Sequence, residues 1–180
     1  MTTYARGPKD VLDFVAEVMK KFHDDLHKAG IKVEMLMAFP PVDKDGEVTG
    51  PALKHDGHPC AALASIKNLK ERVATGFDTR IELDNDIWAE SDDETRAAII
   101  DHEMCHWQLC LNDKGIVKTD EADRPKITKI EHDYQFGWFA VVARRHGQYS
   151  IEVQQAQRLL KSETWRQCWI PSMEPASTMK

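Results

Sequence analysis

The stretch that decides the fold is residues 91–111, SDDETRAAIIDHEMCHWQLCL. Apolar or small side chains recur in it at three- and four-residue steps, which predicts an amphipathic helix with one buried face. Ser91 and Glu94 match the S-x-x-E capping box that begins a helix, and residues 112–115 (NDKG) predict its end. The predicted buried face consists of Ala97, Ile100, Met104, Trp107 and Leu111.

Residues 102–106 of this helix read His-Glu-Met-Cys-His. On a helix, His102 and His106 are about 40° apart around the axis, and Glu103 is about 60° from His106. This H-E-x-x-H pattern suits two imidazoles that bind Zn²⁺ beside a glutamate that takes a proton from water. The motif therefore predicts a zinc-dependent hydrolase with Glu103 as general base. The competing interpretation is an ordinary helix with two surface histidines.

A catalytic zinc ion usually has a third protein ligand. The extended pattern H-E-x-x-H-x-x-G-x-x-H is absent, because Leu109 stands where it requires glycine. The ligand must then come from further along the chain. The candidates are Glu121, Asp123, Glu131, His132 and Asp133.

A second capping box, Thr128 with Glu131, predicts another helix that runs to Gly147. In that helix the carboxylate of Glu131 already has a partner, and His132 shares a face with Phe136 and Phe139. We favour His132 as the third ligand, with Glu131 as the alternative.

The remaining pattern predicts an α+β fold with one sheet. Val11, Val15, Val18, Phe22 and Leu26 indicate a helix over residues 10–29, in which His23 and His27 are expected on a solvated face. Strands are predicted over residues 31–38, 60–67 and 79–84, a loop over 42–59, and a last helix over 150–163. We expect one domain, residues 1–170, and a flexible tail, residues 171–180.

Several polar residues are candidates for supporting roles. Asp101 and Asp133 adjoin proposed ligands and could accept a hydrogen bond from a ligating imidazole. His55 and His58 lie in the loop, where contact with substrate is conceivable. The candidates for stabilising an oxyanion are Tyr134, Arg145, His146 and Tyr149.

Composition narrows the class of protein. The 180 residues are 42% hydrophobic and 30% charged, with a net charge of −6, so a globular fold is expected and nucleic-acid binding is not. No run of about 20 apolar residues and no signal peptide is apparent, which predicts a cytoplasmic protein without a membrane segment. The four cysteines form no C-x-x-C pair and are expected to be small core residues.

Three segments together resemble the putative phage metallopeptidase family: IELDNDIW (81–88), ETRAAIIDHEMCHW (94–107) and HDYQFGWFAVVARRHG (132–147). The family joins an Asp-His-Glu-x-x-His helix to a later His-Asp-x-x-x-Phe helix that ends in a basic residue, an aromatic residue and glycine. Here His146 stands where an aromatic residue is commoner. The resemblance covers roughly residues 55–150 and more loosely begins at residue 10. It implies a minimal zincin-like fold, zinc peptidase activity in a phage or prophage protein, and His132 as third ligand.

The combined prediction is a zincin-type metallopeptidase in the host cytoplasm that acts on a protein or peptide. A small sheet would pack on the N-terminal helix and the H-E-x-x-H helix, and the His132 helix would close the site. By analogy with zinc peptidases, the substrate would pair with residues 79–84 as an edge strand. One alternative is a non-catalytic zinc-binding interaction protein with Glu131 or Cys105 as fourth ligand. Another is a regulatory peptidase that cleaves a repressor or DNA-bound protein and binds partners through Trp165 and Trp169.

Overall fold

The computed structural model describes residues 1–132 and 138–161, which form a mixed α+β fold, as the sequence predicts. Its strands are β1 (Thr3–Arg6), β2 (Val33–Phe39), β3 (Lys54–His55), β4 (His58–Pro59), β5 (Ala62–Ile66), β6 (Thr79–Asp84), β7 (Trp107–Leu109) and β8 (Ile127–Lys129). Its α-helices are α1 (Lys9–Phe22), α2 (Asp24–Lys28), α3 (Leu69–Thr75), α4 (Asn85–Glu90), α5 (Asp93–Cys105), α6 (Ala140–His146) and α7 (Ile151–Lys161). Within these two described ranges, no helix is both long enough and apolar enough to cross a membrane.

A four-stranded sheet with the order β1-β2-β6-β5 lies at the centre of the fold. β2 is parallel to β6, and the outer pairs are antiparallel. The three strands predicted from sequence are β2, β5 and β6. The expectation that residues 79–84 form the edge is wrong, because β6 is paired on both sides and β5 is the edge strand. β1 gives no signal in the sequence because all four of its residues are exposed.

The main core lies between one face of this sheet and the helices α1 and α5. Ile81 of the central strand and Ile100 and Met104 of α5 are completely buried. Removing an aliphatic side chain of this size from water contributes about 1.5–3 kcal/mol, so this packing fixes α5 against the sheet. The apolar spacing of α1 therefore predicted its buried residues Val11, Val15 and Val18 correctly. For residues 91–111 the predicted face was correct only in part: Leu111 is exposed, and the buried Ile99 was not predicted.

The predicted helix over residues 10–29 is broken in two at His23. This residue has φ −131° and ψ 55°, outside the helical region, and separates α1 from α2. The expectation that His23 is solvated is wrong: it is buried, and its Nε2 lies 2.7 Å from Asp101 Oδ1. His27 is exposed, as predicted.

Helix α5 begins and ends at residues other than those predicted. Its N-cap is Asp92, which accepts a hydrogen bond from the Thr95 N–H at 2.8 Å, whereas Ser91 ends α4. The helix stops at Cys105 rather than continuing to Leu111. It stops because the carbonyl of His106 accepts a hydrogen bond from the Ile130 N–H at 2.8 Å, and the next residues pair as β7 with β8.

The expected capping box of Thr128 and Glu131 does not form, because Thr128 lies within β8. His132 follows this strand in non-helical backbone, and α6 begins at Ala140. Gly147 ends α6 with φ 53°, as its position in the sequence predicts. The predictions for Asp133, Tyr134 and Phe136, for Trp165 and Trp169, and for the tail concern residues outside the described ranges.

A buried ion cluster connects α3, the start of β6 and the loop before β8. Asp78 is completely buried and accepts hydrogen bonds from Arg72 Nε at 3.0 Å, Arg72 Nη2 at 2.6 Å, Arg124 Nη2 at 2.9 Å and the Lys32 N–H at 2.8 Å. Arg72 also donates to Asp120 Oδ2 at 2.5 Å. The cluster fixes the segment that leads into β8 and so to His132.

Candidate metal centre

The two histidines of the H-E-x-x-H motif have their Nδ1 atoms fixed by hydrogen bonds. His102 Nδ1 lies 2.7 Å from Glu152 Oε1, and His106 Nδ1 lies 2.8 Å from the carbonyl oxygen of Ile130. A carbonyl and a carboxylate only accept, so each Nδ1 carries the proton. In the neutral form of each imidazole, Nε2 is then the unprotonated nitrogen and can bind a metal ion.

His132 brings a third imidazole to the same point. Its Nε2 lies 3.2 Å from His102 Nε2, and one ring nitrogen from each of the three histidines lies within 4.8 Å of the others. Zinc–nitrogen bonds of about 2.0–2.1 Å at a tetrahedral angle put two ligand nitrogens about 3.3 Å apart. The three imidazoles thus fit a metal ion in both chemistry and spacing.

Phe139 forms an apolar wall against all three imidazoles. Its ring centroid lies 5.1 Å from that of His102, 4.8 Å from that of His106 and 5.0 Å from that of His132. The side chain is only 3% exposed. An apolar surround of this kind limits solvent access and keeps the local dielectric low.

The protonation tendencies of the three imidazoles differ. Burial lowers the pKa of His106 to about 4 and also lowers the pKa of His132, so both favour the neutral form that binds metal. Burial acts on His102 in the same direction, but the hydrogen bond to Glu152 and the neighbouring carboxylates outweigh it and raise its pKa. The same hydrogen bond holds the pKa of Glu152 below its usual value against the effect of burial.

The side chain of Glu103, a residue of α5, faces the edge strand β5. It is 6% exposed, and its carboxylate accepts a hydrogen bond from the backbone N–H of Ala64 in β5. Burial raises its pKa, while the charge of His102 opposes that shift. A buried carboxylate with a raised pKa is a better proton acceptor than a solvated one.

Two basic side chains, Lys129 and His55, lie near this centre. Lys129 is on the same face of β8 as the buried Ile127, and its charge acts on both Glu103 and His106. His55 is in the β3–β4 hairpin, and its charge acts on Glu103 and His132. Both side chains are half exposed, at 50% and 59%, so a molecule bound at the three imidazoles can contact them.

A family model described as "Putative phage metallopeptidase" matches residues 3–163. The chain belongs to this family. The family description implies a metal cofactor and a protein or peptide substrate, and the three imidazoles are a possible site for that metal. No curated protein and no solved structure matches the chain.

Asp101 begins the family's Asp-His-Glu-x-x-His pattern and was a candidate to accept a hydrogen bond from His102. Its carboxylate instead binds other side chains. It is completely buried and is bound by His23 and His146 Nε2, each at 2.7 Å, and by Arg145 Nη1 at 2.8 Å. Burial alone would raise its pKa, but these hydrogen bonds hold it well below the usual value. Arg145 and His146 are thus engaged by Asp101, which removes them as candidates for stabilising an oxyanion.

His23, Asp101 and Cys105 form a second group with metal-binding atom types. The guanidinium of Arg145 already neutralises the carboxylate, and burial raises the pKa of Cys105 to about 12. A neutral thiol beside a fixed cation is a poor ligand set for a second cation. We interpret this group as a structural connection between α5, α6 and the α1–α2 junction.

The other ligand candidates do not join the three imidazoles. Glu131 is 82% exposed at its side chain and pairs with Lys129 at 3.8 Å. Asp123 is at the tip of a hairpin with φ 56°, and Glu121 is exposed in the same loop. Tyr149 lies in a short 3-10 helix between α6 and α7.

Sequence reasoning missed Glu152 and Ile130, the two acceptors that orient the ligands. A backbone carbonyl leaves no trace in a sequence. Glu152 stands in the first turn of α7, where an acidic residue is expected simply because it complements the helix dipole.

Proposed function

We propose that this chain is a zinc-dependent peptidase in which His102, His106 and His132 bind the metal and Glu103 is the general base. The observation that carries this proposal is the convergence of three imidazole nitrogens beside one buried carboxylate. Zinc is the metal that best suits such a set, because it favours nitrogen ligands and its catalytic sites commonly have three protein ligands and one open position.

The reaction follows from the positions of the side chains. When bound, zinc supplies Lewis acidity, which lowers the pKa of water towards about 7 and polarises a carbonyl. Glu103 accepts the proton of the attacking water and passes it to the nitrogen of the leaving amine. Phe139 keeps the imidazoles in an apolar surround, and Lys129, or His55 when it is protonated, can stabilise the oxygen on which negative charge develops.

We propose a zincin-like arrangement with β5 as the strand that binds substrate. Asp84 N–H donates to the Ala61 carbonyl and Lys67 N–H donates to the Asp78 carbonyl, so residues 61, 63, 65 and 67 face β6. By alternation, the backbone groups of residues 62, 64 and 66 face away from the sheet. An extended peptide can pair with these groups beside Glu103, apart from the Ala64 N–H, which already donates to the Glu103 carboxylate.

A closed, non-catalytic zinc module would need a fourth protein ligand. The two residues expected to provide it are engaged elsewhere, since Glu131 faces solvent and Cys105 donates to Asp101. This favours an open position and hence catalysis. The single-domain boundary, the host cytoplasm as location and a repressor as substrate remain predictions.

Metal content and hydrolysis test the proposal together. We expect purified protein to hold about one zinc ion per chain, and His132→Ala to lower that content while Glu131→Gln leaves it unchanged. Incubation with a randomised peptide mixture, followed by mass spectrometry, should show cleavage that a zinc chelator abolishes. Zinc content that is the same in wild type and in His132→Ala would contradict the proposed ligand set.

A further inference from the structure

Glu152 of α7 is the feature that the proposed chemistry leaves unexplained. Its side chain is 1% exposed, yet it is an acidic residue with no lysine or arginine partner among the described residues. A buried carboxylate without such a partner carries a large desolvation cost. Packing alone does not explain why an acidic residue occupies this buried position.

The contacts of Glu152 are concentrated on one of its two oxygens. Oε1 lies 2.7 Å from His102 Nδ1 and accepts a second, longer hydrogen bond from the Phe139 N–H at 3.3 Å. Oε2 is buried and has no hydrogen-bond partner in the described ranges. The shortest hydrogen bond of the carboxylate is thus the one to the His102 imidazole, and its bond to the backbone is longer.

The local sequence places this oxygen accurately. Ser150 begins α7, because its Oγ accepts from the Val153 N–H at 3.2 Å while its hydroxyl donates to the Gly147 carbonyl at 2.9 Å. Glu152 then lies in the first turn of the helix, directly behind His102. Phe139 precedes α6, so a single carboxylate oxygen connects the imidazole, the start of α6 and α7.

We infer that Glu152 is the positioning residue for His102: it fixes the Nδ1–H tautomer and the rotation of the ring, so that Nε2 faces the metal position. The inference rests on the proposed function for its purpose and on the contacts above for its geometry. A hydrogen-bonded carboxylate behind a ligating imidazole also makes the imidazole a better donor, and losing it typically costs 10–100-fold in metal affinity.

The matching variant is Glu152→Gln, which keeps the size of the side chain and removes its charge. Gln157→Ala, an exposed position on the same helix, is the control. A competition titration with a chromophoric chelator at pH 7.5 should show zinc bound about 10–100-fold more weakly by Glu152→Gln and equally by Gln157→Ala. The metal-free variant should melt within about 4 °C of the wild type, since Oε2 is unpartnered and little stability is lost.

A second measurement is independent of zinc. Nitrogen-15 NMR of the metal-free full chain should report the Nδ1–H tautomer for His102 in wild type and a shift towards Nε2–H in Glu152→Leu, which has no acceptor for the Nδ1–H. Unchanged zinc affinity, or an unchanged tautomer in a folded variant, overturns the positioning role and leaves the peptidase proposal standing. Wild-type protein that binds no zinc but shows the expected tautomers refutes the metal site and preserves the orientation of His102.

Discussion

Replacing Asp78, which directly precedes β6, with alanine should destabilise the protein more than replacing any other member of the buried ion cluster. The carboxylate is completely buried and accepts four hydrogen bonds, two of them from Arg72, which is only 4% exposed. Removing one partner of a buried ion pair usually costs about 3–5 kcal/mol, because a buried charge is left uncompensated. Arg72 keeps its bonds to Asp120 and to the Pro125 carbonyl, so we expect about 3 kcal/mol.

The assay is urea unfolding followed by tryptophan fluorescence, with thermal melting as a second measure. A loss of about 3 kcal/mol corresponds to a fall in Tm of about 6–12 °C for a chain of this size. Asp120→Ala is the matched control, because it removes the more exposed partner of Arg72 and leaves the bonds to Asp78 in place. We expect it to cost about 1 kcal/mol. Equal destabilisation by the two variants would show that burial of Asp78 is not the source of the effect.

The other predictions concern the proposed site and its surroundings. Glu103→Gln should retain zinc and lose hydrolysis by a factor of about 10²–10⁴, measured on the peptide mixture, and full activity in it would remove Glu103 as the base. Lys129→Met and His55→Gln should each lower kcat more than they raise KM without reducing zinc content, whereas His58→Gln, on the facing strand of the hairpin, should change neither. Burial, together with the charge of Glu103, raises the pKa of Cys60 to about 11. Alkylation of this thiol at pH 8 should therefore be at least tenfold slower, roughly, in folded protein than in urea. Peptide mapping follows that reaction, and equal rates in the two states would contradict it.

The sequence was most informative where one periodic pattern dominates. Strands β2, β5 and β6 and part of the buried face of α5 were predicted because apolar alternation and helical spacing leave a clear signal. The boundaries of α5 were wrong because Ser91 and Asp92 are equally good caps by type, and only the structure shows that Ser91 ends the preceding helix. Its C-terminus was wrong because the pairing of β7 with β8 is non-local and overrides helix propensity.

For the site, the prediction named three histidines that the structure brings together, but it placed His132 on the wrong kind of element. The sequence pattern placed His132 on a helix, whereas it follows β8 in non-helical backbone and still lies beside His102. His23, buried against Asp101 78 residues away, could not be inferred because long-range pairing has no periodic signature. Helix α3 was not predicted, although Asn68 and Glu71 form the capping box that begins it and both residue types are typical of such a box.

The hydrogen bond from the Ala64 N–H to Glu103 has a consequence for which peptide bond reaches the metal position. The Ala64 N–H is therefore not available to an incoming strand. The Ala64 carbonyl, which faces away from β6, can still accept a hydrogen bond from that strand. A peptide that slides by one residue along the edge would turn its carbonyls towards the wrong groups, since alternate residues of a strand face opposite ways. Glu103 would thus fix the register of the bound peptide. Cleavage should then occur a constant number of residues away from the side chains that bind along β5.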